Sequence, residues 1–434
     1  MLFKNIGLVD ENFEYQENMF VATEGDKIAY IGKTEPKDAD KYGEAYDGTN
    51  KILMPGFYNA HGHSPMTLMR GYGENLPLDR WLNELIFPFE DQFYDKGVYW
   101  ATLLAMAESI RYGIVSTSEM YFHIDPMMRA IVTSGAKTNI CRSVSHMDGC
   151  KIEDSLGYTE MNQNVESYYG WEDGRIIVDV GPHAEYTCSE EMTRAIAESA
   201  KKYDVRVQAH VAETESETKG CIERHGLTPV KFMEHCGIFD QPTTVAHCIW
   251  VNDEDIAILK KHNVTVATNP VSNLKLASGI CPVQKFLDAG INVAIGTDSV
   301  ASNNNLNFFE EMKTFALLGK IKTGDVAAIT PKQVLYSATR AGALSQGRED
   351  CGLVKEGFKA DLIVIDAMQP NMQPIHNAIN NLVYSADGKD VCLTMVDGRV
   401  LYQDGEYKTI DVEKAIIETD NARKKILEKV AANR

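Results

Sequence analysis

Nowhere in the 434 residues does an apolar run approach the roughly 18 uncharged residues that a membrane helix needs. Residues 1–10 hold one lysine and a short apolar run before charge returns, which fits neither a secretory signal nor a transit peptide. Cysteine occurs nine times, scattered and never as Cys-x-x-Cys. Reduced thiols of a cytoplasmic enzyme fit that pattern better than a disulfide framework. Cationic side chains are in deficit: 43 Lys and Arg stand against 62 Asp and Glu, a net charge of -19. Such a surface repels phosphate backbones and anionic lipids, which argues against nucleic acid and membrane as partners. The His-x-Glu…Pro-Cys-x-x-Cys signature of deaminases that act on nucleic acid is also missing. No repeat of fixed period and no low-complexity segment is found.

What is present is an apolar fraction of 44%, enough for a sizeable core, in a chain longer than single cores usually grow. Both ends read as short strands. Residues 21–22 and 27–31 flank the turn Glu24-Gly25-Asp26, while residues 361–366 and 391–396, the turn Asp397-Gly398 and residues 399–402 form a second hairpin pattern. One small β-sandwich domain built from both chain ends is therefore expected, from residues 1–55 and 358–434. Within the latter, residues 412–434 predict a surface helix from the spacing of Ala415, Ile416, Ile426 and Val430. Between the ends, strand-like runs alternate with amphipathic ones. Strands are expected at 176–180, 205–209, 244–246, 264–267 and 291–295, and helices at 189–202, 230–236, 253–261 and 282–289. That alternation predicts an α/β architecture with a parallel sheet over 56–357, with boundaries near Met54-Pro55-Gly56 and Gly357.

In a (β/α)8 barrel the active site lies at the carboxyl ends of the strands. The polar residues of interest fall there: His61 and His63, then His183, His210, His247 and Asp298 each follow a strand-like run. Residues two apart on an extended segment share a face, so His61 and His63 can reach one cation. For 11 His in 434 residues, chance alone gives roughly 0.3 such pairs, so the other strand-end residues carry the argument. His61, His63, His210 and Asp298 offer imidazole and carboxylate ligands suited to Zn²⁺, although iron or manganese tolerates the same donors. Glu213, three residues beyond His210, is a candidate general acid/base, or else a solvated carboxylate of the acidic run 213–217. His247 either orients a water or is a buried structural histidine.

The run Met54-Pro-Gly-Phe-Tyr-Asn-Ala-His61-Gly-His63, with His210, His247 and Gly296-Thr-Asp298-Ser, resembles the amidohydrolase superfamily. Residues 64–76, Trp81-Leu, Pro88-Phe-Glu90-Asp and residues 296–307 resemble its 5-methylthioadenosine/S-adenosylhomocysteine deaminase subgroup, to which the triazine chlorohydrolases are related. The resemblance implies one zinc in a distorted (β/α)8 TIM-type barrel, held by His61, His63, His210 and Asp298. It implies Glu213 as proton shuttle, with His247 and Asp298 activating water. It also places Trp81 beside the substrate, Glu90 on the ribose hydroxyls, and His183 and Ser302 in the same pocket. Arg142 matches an arginine that faces the amino-acid tail of S-adenosylhomocysteine in these enzymes. Tyr158 stands where a second arginine is expected, and a phenol does not replace a guanidinium fork.

The expected reaction is hydrolytic deamination of adenosine-type nucleosides: adenosine, 5'-methylthioadenosine, 5'-deoxyadenosine and, with the Tyr158 departure against it, S-adenosylhomocysteine. Water activated at zinc attacks C6, Glu213 protonates N1, and ammonia leaves. The alternative is a related ring hydrolase acting on guanine, a pterin or a chlorotriazine, against which Glu90 stands, because a bare heterocycle has no diol. A cytoplasmic homo-oligomer is expected.

Overall fold

The computed structural model describes residues 1–146 and 151–433. Eight parallel strands succeed one another around a barrel: Phe57–Gly62 (β1), Ile114–Tyr121 (β2), Lys137–Val144 (β3), Ile176–Pro182 (β4), Val207–Val211 (β5), Thr243–His247 (β6), Thr265–Thr268 (β7) and Val293–Ile295 (β8). Almost every residue in them is buried, because helices cover the outer face and side chains fill the inner one. The Asp298 amide donates to the His61 carbonyl at 3.0 Å just beyond β8, and this closes the barrel on β1. Asn59 reinforces the seam: its Oδ1 accepts from Thr297 N at 3.0 Å and its Nδ2 donates to Thr297 Oγ1 at 2.8 Å. The (β/α)8 expectation is met.

The second sheet has nine strands and takes them from both ends of the chain. Lys51–Pro55 pairs antiparallel with Leu362–Asp366 along its whole length, so neither end completes the sheet alone. The expected sandwich is one continuous mixed sheet whose arms share a core, including Phe3, Ile6, Leu53, Leu362, Val364 and Leu393. The chain crosses into β1 at Gly56, where a Cβ would lie 2.3 Å from Val115 Cγ1.

Local chemistry sets the element ends. Asn252 and Asp255 form a capping box at the start of helix Asp253–Lys261, and Lys260 and Lys261 oppose its dipole at the other end. Strand β5 starts two residues later than its Val-rich pattern suggests. Helix Glu190–Tyr203 ends on left-handed Asp204, and the Val205 amide is spent on the Ala200 carbonyl. The terminal helix spans Val412–Ala432, and Arg434 lies outside the described residues. Its buried face is Ala415, Thr419, Ala422, Ile426 and Val430, packed on helix Asp95–Arg111, whereas Ile416 is 53% exposed. Ala422 meets Gly97 and Lys96 pairs with Glu418 at 2.8 Å, so this helix covers the barrel wall and is not free on the surface.

A buried ionic cluster joins the terminal sheet to the barrel floor. Lys137, the first residue of β3, lies 2.5 Å from Asp361 and 2.7 Å from Asp397, and the Tyr58 hydroxyl donates to Asp361. Lys137 and Asp361 are almost wholly buried, so each charge depends on the other. Lys137→Met is expected to lower unfolding stability by about 3–5 kcal/mol, the usual cost of breaking a buried pair. Urea unfolding measures this. A loss below about 1 kcal/mol would show that the cluster does not join the two parts.

Candidate active site

The barrel brings to one place side chains that are far apart in sequence. His61 and His63 leave the end of β1, His210 and His247 the ends of β5 and β6, and Asp298 the turn after β8. Four residues at or just beyond these strand ends take left-handed backbone conformations despite carrying a Cβ: Ala212 (φ 53°), His247 (φ 76°), Cys248 (φ 47°) and Asp298 (φ 60°). Each costs on the order of 1–3 kcal/mol, and such strain concentrates at functional sites. Gly296 keeps the seam narrow: a Cβ there would sit 2.3 Å from Asn269 Oδ1 and 3.0 Å from the His61 amide.

His61, His63 and Asp298 offer ligand atoms within 4.8 Å of one another, as do His61, His210 and His247. The donor set fits a divalent cation on three counts. His61 Nε2 is buried and has no hydrogen-bond partner among the described residues, which is expensive unless a Lewis acid takes the lone pair. The Nε2 atoms of His63 and His210 face each other at 3.4 Å, close to the separation of about 3.3–3.4 Å for two nitrogens about 2.0–2.1 Å from one tetrahedral metal. Asp298 Oδ1 lies 3.2 Å from His63 Nε2 and 3.8 Å from His61 Nε2.

The other ring nitrogens are held by backbone acceptors: His63 Nδ1 by the Met120 carbonyl at 2.5 Å and His210 Nδ1 by the His183 carbonyl at 2.8 Å. Those bonds fix the tautomers that turn each Nε2 inward. Burial and the neighbouring histidines hold His61 and His210 well below the ordinary imidazole value, so they are neutral donors. For His63 burial is the largest single effect and lowers its pKa, but the hydrogen bond and charge of Asp298, with the Met120 carbonyl and Glu119, together outweigh it and the net shift is upward. Asp298, opposed by burial, is carried well below the usual carboxylate range by His63 and the other histidines.

His247 and Glu213 stand beside this cluster. His247 Nδ1 donates to Asn273 Oδ1 at 2.8 Å, leaving Nε2 to face Glu213 Oε2 at 3.7 Å. Burial raises the Glu213 carboxyl above its ordinary value. Glu213 is aimed by Glu217, whose carboxylate accepts the Ala212 amide at 2.9 Å and the Glu213 amide at 2.7 Å. Hence the acidic run 213–217 is no uniform solvated stretch. Its two ends are buried, and Glu215 and Ser216 are exposed.

The strand ends open into a cavity of about 320 Å³, within the size range of small-molecule sites. All five residues expected to meet substrate line it: Trp81, Glu90, Arg142, His183 and Ser302. Burial pushes Glu90 up to about 7 against the pull of the Tyr121 hydroxyl, which donates to its Oε1. Burial and the nearby histidines push His183 down to about 4, and its Nδ1 meets Thr187 Oγ1 at 2.8 Å. Ser302 spends its hydroxyl partly on Asp298 Oδ2, at 3.2 Å, and Ser272 donates to the same oxygen at 2.6 Å.

Arg142 Nε donates to Glu160 at 2.8 Å and Nη1 to the Ser143 carbonyl at 2.5 Å, so its fork is half occupied by the protein itself. Tyr158 is not among the described residues lining the cavity; its hydroxyl meets Ser199 Oγ at 2.9 Å on helix Glu190–Tyr203. Arg142 is thus the one cationic side chain among the described lining residues. Sequence reasoning missed Glu217, Tyr121, Ser272 and Asn273. Among these, Glu217 carried a readable signal: it sits four residues after Glu213 in a helix capped by Thr214.

The model of the amidohydrolase family matches residues 52–401. A 5-methylthioadenosine/S-adenosylhomocysteine deaminase of Dictyoglomus thermophilum is 40% identical over 399 residues, covering 91% of this chain and 92% of its own. A 5'-deoxyadenosine deaminase of Methanosarcina acetivorans is 40% identical over 419 residues, 96% of this chain and 95% of its own. Among solved structures, an adenosine deaminase from Xanthomonas campestris with bound zinc superposes with a TM-score of 0.92 at 28% identity, covering 98% of each chain. An atrazine chlorohydrolase from Arthrobacter aurescens shares the fold at a TM-score of 0.89 and 22% identity, over 97% of this chain and 99% of its own. With the family matched over most of its length and relatives at 40% identity across nearly all of it, this chain belongs to the amidohydrolase family.

Proposed function

We propose that the chain is a zinc-dependent hydrolytic deaminase of adenosine-type nucleosides, releasing ammonia and the inosine analogue. The observation that carries this reading is a single cavity holding both an imidazole–carboxylate cluster and, apart from it, the half-buried carboxylate of Glu90. The first part suits hydrolysis at a ring carbon; the second suits a sugar hydroxyl, a hydrogen-bond donor that a bare guanine, pterin or triazine lacks. The relatives named above as deaminases of adenosine derivatives support the same reading.

His61, His63, His210 and Asp298 would hold the zinc, which when bound lowers the pKa of water towards neutrality and so supplies the nucleophile. Glu213 delivers a proton to N1 of the purine as water oxygen adds to C6, a task suited to a carboxyl whose proton affinity burial has raised. His247, with Nδ1 tied to Asn273, offers Nε2 to the attacking water, and Asp298 accepts its proton. Asp298 returns that proton to the C6 amino group, the C6–N bond breaks with release of ammonia, and Glu213 recovers a proton from the C6 hydroxyl as the carbonyl forms. Trp81, 4% exposed in the cavity wall, shields the ring, and Glu90 accepts from the ribose. With Arg142 already engaged by Glu160 and no second guanidinium among the described lining residues, adenosine, 5'-methylthioadenosine and 5'-deoxyadenosine are the preferred substrates over S-adenosylhomocysteine. Among the described residues no helix is long and apolar enough to cross a membrane.

An ammonia-release assay on the zinc-loaded protein tests this, with these adenosines, S-adenosylhomocysteine, guanine and a chlorotriazine as substrates. Turnover of the adenosines is expected, with kcat falling by roughly 10²–10⁴ in Glu213→Gln and activity lost on chelation and restored by zinc. Turnover of guanine or the triazine alone would leave the hydrolytic site standing and remove the ribose role of Glu90. A second expectation concerns pH. Glu90, pushed up to about 7, accepts from ribose only when ionised. KM for adenosine should therefore rise as pH falls through about 7, and Glu90→Gln should flatten that dependence.

A further inference from the structure

Tyr121 was not anticipated at the site, yet, unlike Glu90, it stands on a barrel strand. It is the last residue of β2, 5% exposed, with its ring stacked on Phe122 at 4.4 Å and 14° between planes. Phe93 lies 6.3 Å from it and the His63 ring 6.1 Å. Glu90, by contrast, ends the short helical turn Phe87–Glu90 on the long excursion between β1 and helix Asp95–Arg111. The hydrogen bond from the Tyr121 hydroxyl to Glu90 Oε1 ties that excursion to the barrel rim. No donor among the described residues meets Glu90 Oε2, and Glu90 lines the cavity.

A free carboxylate can chelate a vicinal diol through both oxygens. A carboxylate oxygen that already accepts from a fixed phenol keeps one acceptor site while the free oxygen keeps two, so the two oxygens are no longer equivalent. We propose that Tyr121 is a specificity-determining positioning residue: it takes one acceptor site of Glu90 Oε1 and fixes the carboxylate so that the free oxygen faces one sugar hydroxyl, and the two ribose hydroxyls are read unequally. This rests on the ribose role of Glu90 in the function proposed above. Tyr121 acts through Glu90 and leaves the reacting atoms alone, so its effect falls on sugar-dependent binding and spares the chemical step.

The test uses the full-length zinc-loaded enzyme with adenosine, 2'-deoxyadenosine, 3'-deoxyadenosine and 2',3'-dideoxyadenosine. In the unaltered enzyme, removing one of the two hydroxyls is expected to lower kcat/KM about tenfold more than removing the other, a comparison that needs no variant. In Tyr121→Phe, KM for adenosine is expected to rise about tenfold with kcat within about twofold, while KM for the dideoxynucleoside stays unchanged. On a Glu90→Gln background, Tyr121→Phe is expected to add nothing. Equal losses for the two monodeoxynucleosides, or a Tyr121→Phe effect that reaches the dideoxynucleoside equally, would overturn the proposal while the ribose role stands. An adenosine KM indifferent to Glu90→Gln would overturn both.

Discussion

The hydrogen bond from the Asp298 amide to the His61 carbonyl is the constraint on which the site depends. It closes the barrel, and in doing so sets the carboxylate that follows the last strand beside the imidazoles at the end of the first. His63, His210 and His247 join them because the carboxyl ends of parallel barrel strands gather at one face, with β5 and β6 paired in continuous register. The Asn59–Thr297 bonds and the absence of a side chain at Gly296 keep the closing seam tight. Loosening it would separate His61 from Asp298.

Burial is what makes those groups reactive. Imidazoles kept neutral by desolvation suit metal ligation, and a carboxyl whose proton affinity desolvation raises suits acid-base work. The protein opposes the cost with a ring of supporting contacts: Ser272 and Ser302 on Asp298, Asn273 on His247, and Glu217 on the Ala212–Glu213 turn. Positive φ at Ala212, His247 and Asp298 shows that the backbone at these strand ends is bent to aim side chains into the cavity, away from the relaxed path of a strand. The terminal sheet, clamped to the barrel floor through Lys137, Asp361 and Asp397, lies at the opposite end of β3 from the chemistry and contributes stability.

Much of this was legible in the chain itself. His61-x-His63, and single polar residues placed after strand-like runs, located the cavity because a barrel converts strand ends into neighbours. The helix Asp253–Lys261 was readable to the residue because its cap and its terminal lysines are local signals. What escaped was set by tertiary contacts. The start of β5 shifted because Val205 closes the preceding helix, and Ile416 turned outward because Thr419 and Ala422 provide the small face that helix Asp95–Arg111 needs. Tyr158 read as a substitute for a pocket arginine, yet its hydroxyl reaches Ser199 on the next helix, a direction that no one-dimensional spacing encodes. Tyr121 and Glu217 escaped for the same reason: each matters through the partner it meets, Glu90 in one case and two backbone amides in the other.

The central claim is that His61, His63, His210 and Asp298 converge on one cation. X-ray absorption at the zinc edge of the reconstituted protein measures that shell directly. The account predicts a first shell of imidazole nitrogen and carboxylate oxygen at about 2.0–2.2 Å, with the imidazole contribution reduced in His61→Ala and His210→Ala. A shell containing sulfur at about 2.3 Å, or one unchanged by those substitutions, would contradict it.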